Sequence, residues 1–114
     1  MPSEFFETAN ATAVVGFDAL SLYPRLSRRP MGRRLVRVGL GGSAAVADYD
    51  VEIFVEGTSF GTFKNLAGGS GVPPKVDGEY QRVNIPIPPN FLLELKYTTQ
   101  PTTNPALGFL DFSP

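Results

Sequence analysis

Asp50-Val51-Glu52-Ile53-Phe54-Val55-Glu56, followed by Gly57-Thr58 and Phe60-Gly61-Thr62-Phe63-Lys64, decides the fold class of this 114-residue chain. Val51, Ile53 and Val55 alternate with Asp50, Glu52 and Glu56, so a strand here has one apolar face and one acidic face. Gly57-Thr58 predicts a two-residue hairpin turn with Gly at its first central position, which sets Val55 opposite Phe60.

The same period of two recurs on either side. Arg33 to Leu40 reads as a strand with Val36, Val38 and Leu40 facing one way and Leu35 and Arg37 the other. From Gln81, Val83, Ile85 and Ile87 share a face. Pro86 cannot donate to a ladder, which predicts an edge or a bulge. Pro88-Pro89-Asn90 makes a stiff turn, and Phe91 to Thr98 then puts Phe91, Leu93, Leu95 and Tyr97 on one face. Ala106 to Phe112 is the last strand. Thr12 to Phe17 and Ser43 to Ala47 are weaker candidates. About seven or eight short strands at such spacing predict an all-β, antiparallel β-sandwich, jelly-roll-like in its winding. Gly68 to Pro74 reads as a long flexible loop, and Gly39 to Ser43 as a turn. One domain is expected, with residues 1–32 as an irregular N-terminal arm and 33–114 as the sandwich.

Composition narrows the chemistry. Hydrophobic residues make up 42% and charged residues 18%, which fits a globular chain. There is no His and no Cys, so the usual proton-transfer group, the commonest metal ligand and the thiol nucleophile are all missing. A non-catalytic protein without cofactor or metal is expected. The amino terminus lacks the basic and apolar regions of a signal peptide, and no apolar run approaches a membrane span. A soluble protein is therefore expected. Asn10-Ala11-Thr12 fits the glycosylation pattern, which arises readily by chance.

Charge is unevenly placed. Six of the seven arginines, Arg25, Arg28, Arg29, Arg33, Arg34 and Arg37, fall in a window without a single acid, while the whole chain carries −1. Arg pairs bidentately with carboxylate and phosphate, so the window predicts contacts with acidic protein surfaces, between subunits or within one. Nucleic acid fits less well, because the sequence pI is about 5.3 and no aromatic platform lies inside the window. Phe5 and Phe6 sit in an acidic terminus and need cover, from the chain's own core or from a neighbour. These eight residues are the expected interface. Asp48 and Asp50, two apart, are candidate Ca²⁺ ligands or simply a polar strand face. The glycine loops lack the Lys-Ser/Thr ending of a phosphate loop. Glu52 and Glu56 lie along one strand, whereas glycoside hydrolysis needs carboxylates facing across a cleft.

A small His- and Cys-free β-sandwich with an amino-terminal arm, an Arg cluster and proline turns (Pro89-Asn90, Asn104-Pro105) resembles small jelly-roll virion proteins of phages and related viruses. These comprise capsid, vertex and decoration proteins, and the resemblance spans the chain in style. It implies two antiparallel sheets, assembly through edges and arms with copies of itself or a larger shell protein, and location in the virion. The chain lacks the strongly basic tail of that pattern, which argues against genome contact. The competing expectation is a monomeric carbohydrate- or cell-surface-binding module using the loops Gly68 to Pro74 and Gln100 to Pro105.

Overall fold

The hairpin quoted above forms, with a shifted turn. In a computed structural model describing residues 3–114, β3 (Asp50–Val55) pairs with β4 (Thr58–Lys64), and Val55 stands opposite Thr58. The turn is Glu56-Gly57, both with positive φ (48° and 81°), and two such residues match the strand twist as a primed turn does. Glu56 is held in this conformation from outside the hairpin. Its N–H donates to the Leu92 carbonyl, and its carboxylate accepts from the Leu92 N–H at 2.6 Å.

The remaining strands are β1 (Ser3–Thr8), β2 (Arg33–Gly41), β5 (Tyr80–Ile87), β6 (Leu93–Thr99) and β7 (Ala106–Ser113). They make two antiparallel sheets, ordered β1-β7-β2-β5 and β4-β3-β6. This is the all-β sandwich expected from period-two alternation. β5 lies at an edge, as Pro86 requires. Neither Thr12 to Phe17 nor Ser43 to Ala47 forms a strand.

Inward residues of both sheets build one core. Phe6, Leu35, Val38, Leu40, Ile85, Ile87, Leu110 and Phe112 come from the larger sheet, and Val51, Ile53, Val55, Leu93, Leu95 and Tyr97 from the smaller. β2 carries a bulge between Leu35 and Arg37. Leu35 therefore faces the core together with Val38 and Leu40, while Val36 turns outward. The buried tyrosines find acceptors: Tyr49 donates to the Gly41 carbonyl and Tyr97 to the Thr8 hydroxyl, both at 2.8 Å. Burial pushes both phenols up, Tyr97 to about 12.

The expected arm over residues 1–32 is largely part of the sandwich; Met1 and Pro2 lie outside the described residues. Ser3–Thr8 pairs with β7 along its whole length. Gly16, Phe17 and Asp18 then run beside β6, where a further strand would sit. Tyr97 exchanges main-chain bonds with Gly16 and Phe17, and the Asp18 carboxylate accepts the Leu95 N–H at 3.0 Å. Burial raises the Asp18 carboxyl above its usual range despite those amides. A 3-10 turn (Ala19–Leu22) and the single-turn helix α1 (Pro24–Ser27) follow, burying Ala19, Leu20 and Leu26.

The glycine-rich segment 65–76 is a strap rather than a free loop. It lies on the outer face of the larger sheet, with Ala67 fully buried and main-chain bonds Gly42 N–H to Val72 O and Ala67 N–H to Leu40 O. Gly39 and Gly41 are strand residues beneath it, not a turn. A Cβ at Gly39 would come 2.6 Å from the Tyr80 ring and 2.9 Å from Pro74, so only glycine lets the strap approach.

Candidate interface at the free edge of β1

Strand alternation separates the two adjacent phenylalanines. Phe6 points inward and is fully buried, so it belongs to the core and not to an interface. Phe5 points outward, 42% exposed, its ring centroid 5.2 Å from that of Phe109 on the neighbouring strand.

The six arginines of the window part in four directions. Arg25, Arg28 and Arg29 flank a groove of about 670 Å³ whose apolar wall includes Phe5, Leu22 and Pro24. Glu4 and Phe5, neighbours on opposite faces of the sheet, both line it. The groove therefore runs along the free edge of β1. Arg29 stands 3.5 Å from Glu4, and its Nε donates to the Arg25 carbonyl. Arg28 lies 3.6 Å from Glu56 and donates to the Asn90 carbonyl. Among the described residues Arg25 makes no ion pair.

Arg33, expected at the interface, turns into the protein. Its guanidinium lies 4.7 Å from the Phe112 ring centroid and donates to the Leu26 carbonyl, while among the described residues Nε and Nη1 have no partner. Burial, with Arg29 nearby, lowers it to about 10. It bridges α1 and β7 through Leu26 and Phe112. Arg34 leaves the opposite face and reaches Asn84 at 2.6 Å.

Arg37 belongs to a separate cluster on the outer face of the larger sheet. Its Nε donates to Asp111 Oδ2 at 2.6 Å, Nη2 stands 2.6 Å from the same oxygen, Nη1 reaches Asp77 at 2.9 Å, and its guanidinium stacks on Tyr80. Ser3 also donates to Asp111, and Arg82 to Asp77. The hydrogen bond from Arg37 holds the Asp77 carboxyl below its usual range, and the bonds to Asp111 raise the Arg37 guanidinium. These arginines are spent on the chain's own acids.

β1 itself presents free main-chain groups. Glu7 N–H donates to the Tyr23 hydroxyl at 2.9 Å, and the same hydroxyl donates to the Glu7 carbonyl. The Glu7 main chain therefore faces away from β7. In an antiparallel ladder alternate residues face the same edge, so Ser3 and Phe5 present their N–H and C=O groups outward too. Tyr23 covers the Glu7 end; the Ser3–Phe5 end opens into the groove. Tyr23 was not among the residues the sequence pointed to. Leu22-Tyr23-Pro24, an apolar step beside the arginines, was the available signal.

The other candidates resolve differently. Asp48 accepts from the Ser43 hydroxyl (2.7 Å), the Thr102 N–H (2.9 Å) and the Thr102 hydroxyl (2.5 Å). Those bonds hold its carboxyl below the usual range. It clamps loops together, and among the described residues no group of three or more acids could hold a metal ion. The loops Gly68 to Pro74 and Gln100 to Pro105 meet through Asn104 Nδ2 and Ser70 Oγ at 3.3 Å. Among the described residues no helix is long and apolar enough to cross a membrane. Comparison with models of protein families, with curated proteins and with solved structures found no match.

Proposed function

We propose that this protein is a non-catalytic assembly protein, a component of a virus particle that packs against copies of itself or a larger shell protein. The observation that carries the reading is the convergence of an exposed Phe5 and three arginines on one groove beside a free strand edge. An aromatic anchor and arginines around an open groove are what protein interfaces concentrate. The winding supports the viral comparison. The chain passes from one sheet to the other at the β2–β3, β4–β5, β5–β6 and β6–β7 connections, as in a jelly roll with one strand reduced to Gly16–Asp18.

Light scattering across protein concentration and salt tests it. The mass should rise above 12.3 kDa with concentration and fall back with salt, because exposed arginine contacts are screened. Reversing Arg25, Arg28 and Arg29 to Glu should abolish the rise. A monomer at every concentration and salt, with no change on reversal, would overturn self-assembly. The second reading, a monomeric carbohydrate-binding module, is favoured by the meeting of its two loops through Asn104 and Ser70; saturable quenching of tyrosine fluorescence by a sugar would put it first.

A further inference from the structure

The free edge of β1 specifies its own occupant. A segment that fills it must be extended, to pair with the outward N–H and C=O groups of Ser3 and Phe5. It must be acidic, to meet Arg25, Arg28 and Arg29, and it benefits from an apolar side chain diagonal to Phe5 on the same face, within reach of an aromatic ring. Among the strands, β4 (Thr58–Lys64) and β5 (Tyr80–Ile87) contain no acid, and the edge of β6 is held by Gly16–Asp18. β1, Ser-Glu-Phe-Phe-Glu-Thr, meets every requirement.

We propose that two copies of this chain join edge to edge through β1, antiparallel about a two-fold axis, making one continuous sheet from the two larger sheets. This deepens the assembly reading and rests on it. A patch that matches itself is what a two-fold interface requires, and strand addition supplies main-chain bonds without a dedicated pocket.

The register follows from which groups are free. Ser3 and Phe5 carry outward main-chain groups and Tyr23 occupies those of Glu7, so Ser3 of one copy pairs with Phe5 of the other. Glu4 then faces its own counterpart in a non-hydrogen-bonded position. Two carboxylates opposite each other repel, and here the arginines of the groove surround them from both copies. The long 3.5 Å separation of Glu4 from Arg29, and Arg25 without an ion pair among the described residues, leave cations available for this.

Two variants test the pairing directly, the first by main-chain chemistry. The outward-facing N–H of Phe5 takes no part in the ladder to β7, so Phe5→Pro should leave the monomer folded by circular dichroism. It should weaken dimerisation about tenfold or more in sedimentation equilibrium, since one donor is lost from each copy and the ring obstructs the edge. The second is covalent. The chain has no cysteine, and side chains opposite each other in a non-hydrogen-bonded antiparallel pair come within disulfide reach. Glu4→Cys should therefore form a disulfide-linked dimer on mild oxidation, well ahead of Thr62→Cys on exposed β4 at the same concentration. Equal cross-linking of the two cysteine variants, or a Phe5→Pro protein that dimerises like the parent, would overturn strand pairing. If association then still vanished on reversing Arg25, Arg28 and Arg29, the groove would stand as the docking site and only the edge-to-edge geometry would fall. Cross-linking at Glu4→Cys keeps the proposal decidable even where Phe5→Pro fails to fold.

Discussion

Phe6 and Gly108 are cross-strand partners on the inner face of the larger sheet, and their contact can be measured as an energy. A Cβ built on Gly108 would come 2.5 Å from the Phe6 ring and 2.9 Å from the Gly39 carbonyl oxygen. Truncating a fully buried phenylalanine costs about 3–5 kcal/mol through lost transfer energy and the cavity left behind. Forcing a methyl group against the ring costs about 1–3 kcal/mol. With the ring gone, only the Gly39 carbonyl resists the methyl group, so Gly108→Ala should be about 1–2 kcal/mol less costly in a Phe6→Ala background than in the parent. The adjacent Phe5→Ala should cost only about 1 kcal/mol, from partial burial and the Phe109 pair. Urea unfolding of the two single mutants, the double mutant and Phe5→Ala completes the cycle. Additive Phe6 and Gly108 effects, or equal costs at Phe5 and Phe6, would refute the placement of these rings.

Arg37→Met should destabilise the domain by about 3 kcal/mol, read as a lowered melting temperature, because it strands the Asp111 carboxylate with only Ser3 for company at 1% exposure. Asp48 gives a pH signature. Its hydrogen bonds lower the folded-state pKa, so its contribution is present above the unfolded value of 3.8 and is lost as pH falls through the lower folded value. Asp48→Asn should therefore melt below the parent near neutral pH, with the gap closing in acid; a gap independent of pH would refute the clamp.

The β3–β4 hairpin and the inward faces of β5 and β6 were legible because a half-buried strand repeats every two residues; β7, buried on both faces, was legible as a strand but not by face. The exact turn was not, since the bonds that hold Glu56 at positive φ come from Leu92, far along the chain. β1 escaped notice for a local reason. Its two phenylalanines fall on opposite faces, which breaks the apolar–polar alternation, and only pairing with Phe109 makes an outward Phe5 reasonable. The bulge that turns Val36 outward has no sequence mark at all. The Arg window announced charge but not direction. Pairing along β2 sends Arg33, Arg34 and Arg37 to three different environments, and the groove keeps Arg25, Arg28 and Arg29 only because α1 turns beside β1. Asp111 stood in plain view within Ala-Leu-Gly-Phe-Leu-Asp-Phe, a lone acid in an apolar strand. Its partners lie on β1 and β2, so their identity waited on the sheet order.

The pairing of β1 with β7 sets Ser3 beside Asp111, so the outer ends of these two strands emerge at the same rim of the sheet. Tension applied between those ends would load the ladder one rung at a time, peeling β1 from β7 like a zipper instead of shearing all its bonds together. Tension shared by both ends against the body of the sandwich would spare that ladder. A molecule built this way is mechanically soft along one direction and firm along the other, and attachment through both strand ends at a single point is the arrangement in which it bears load best.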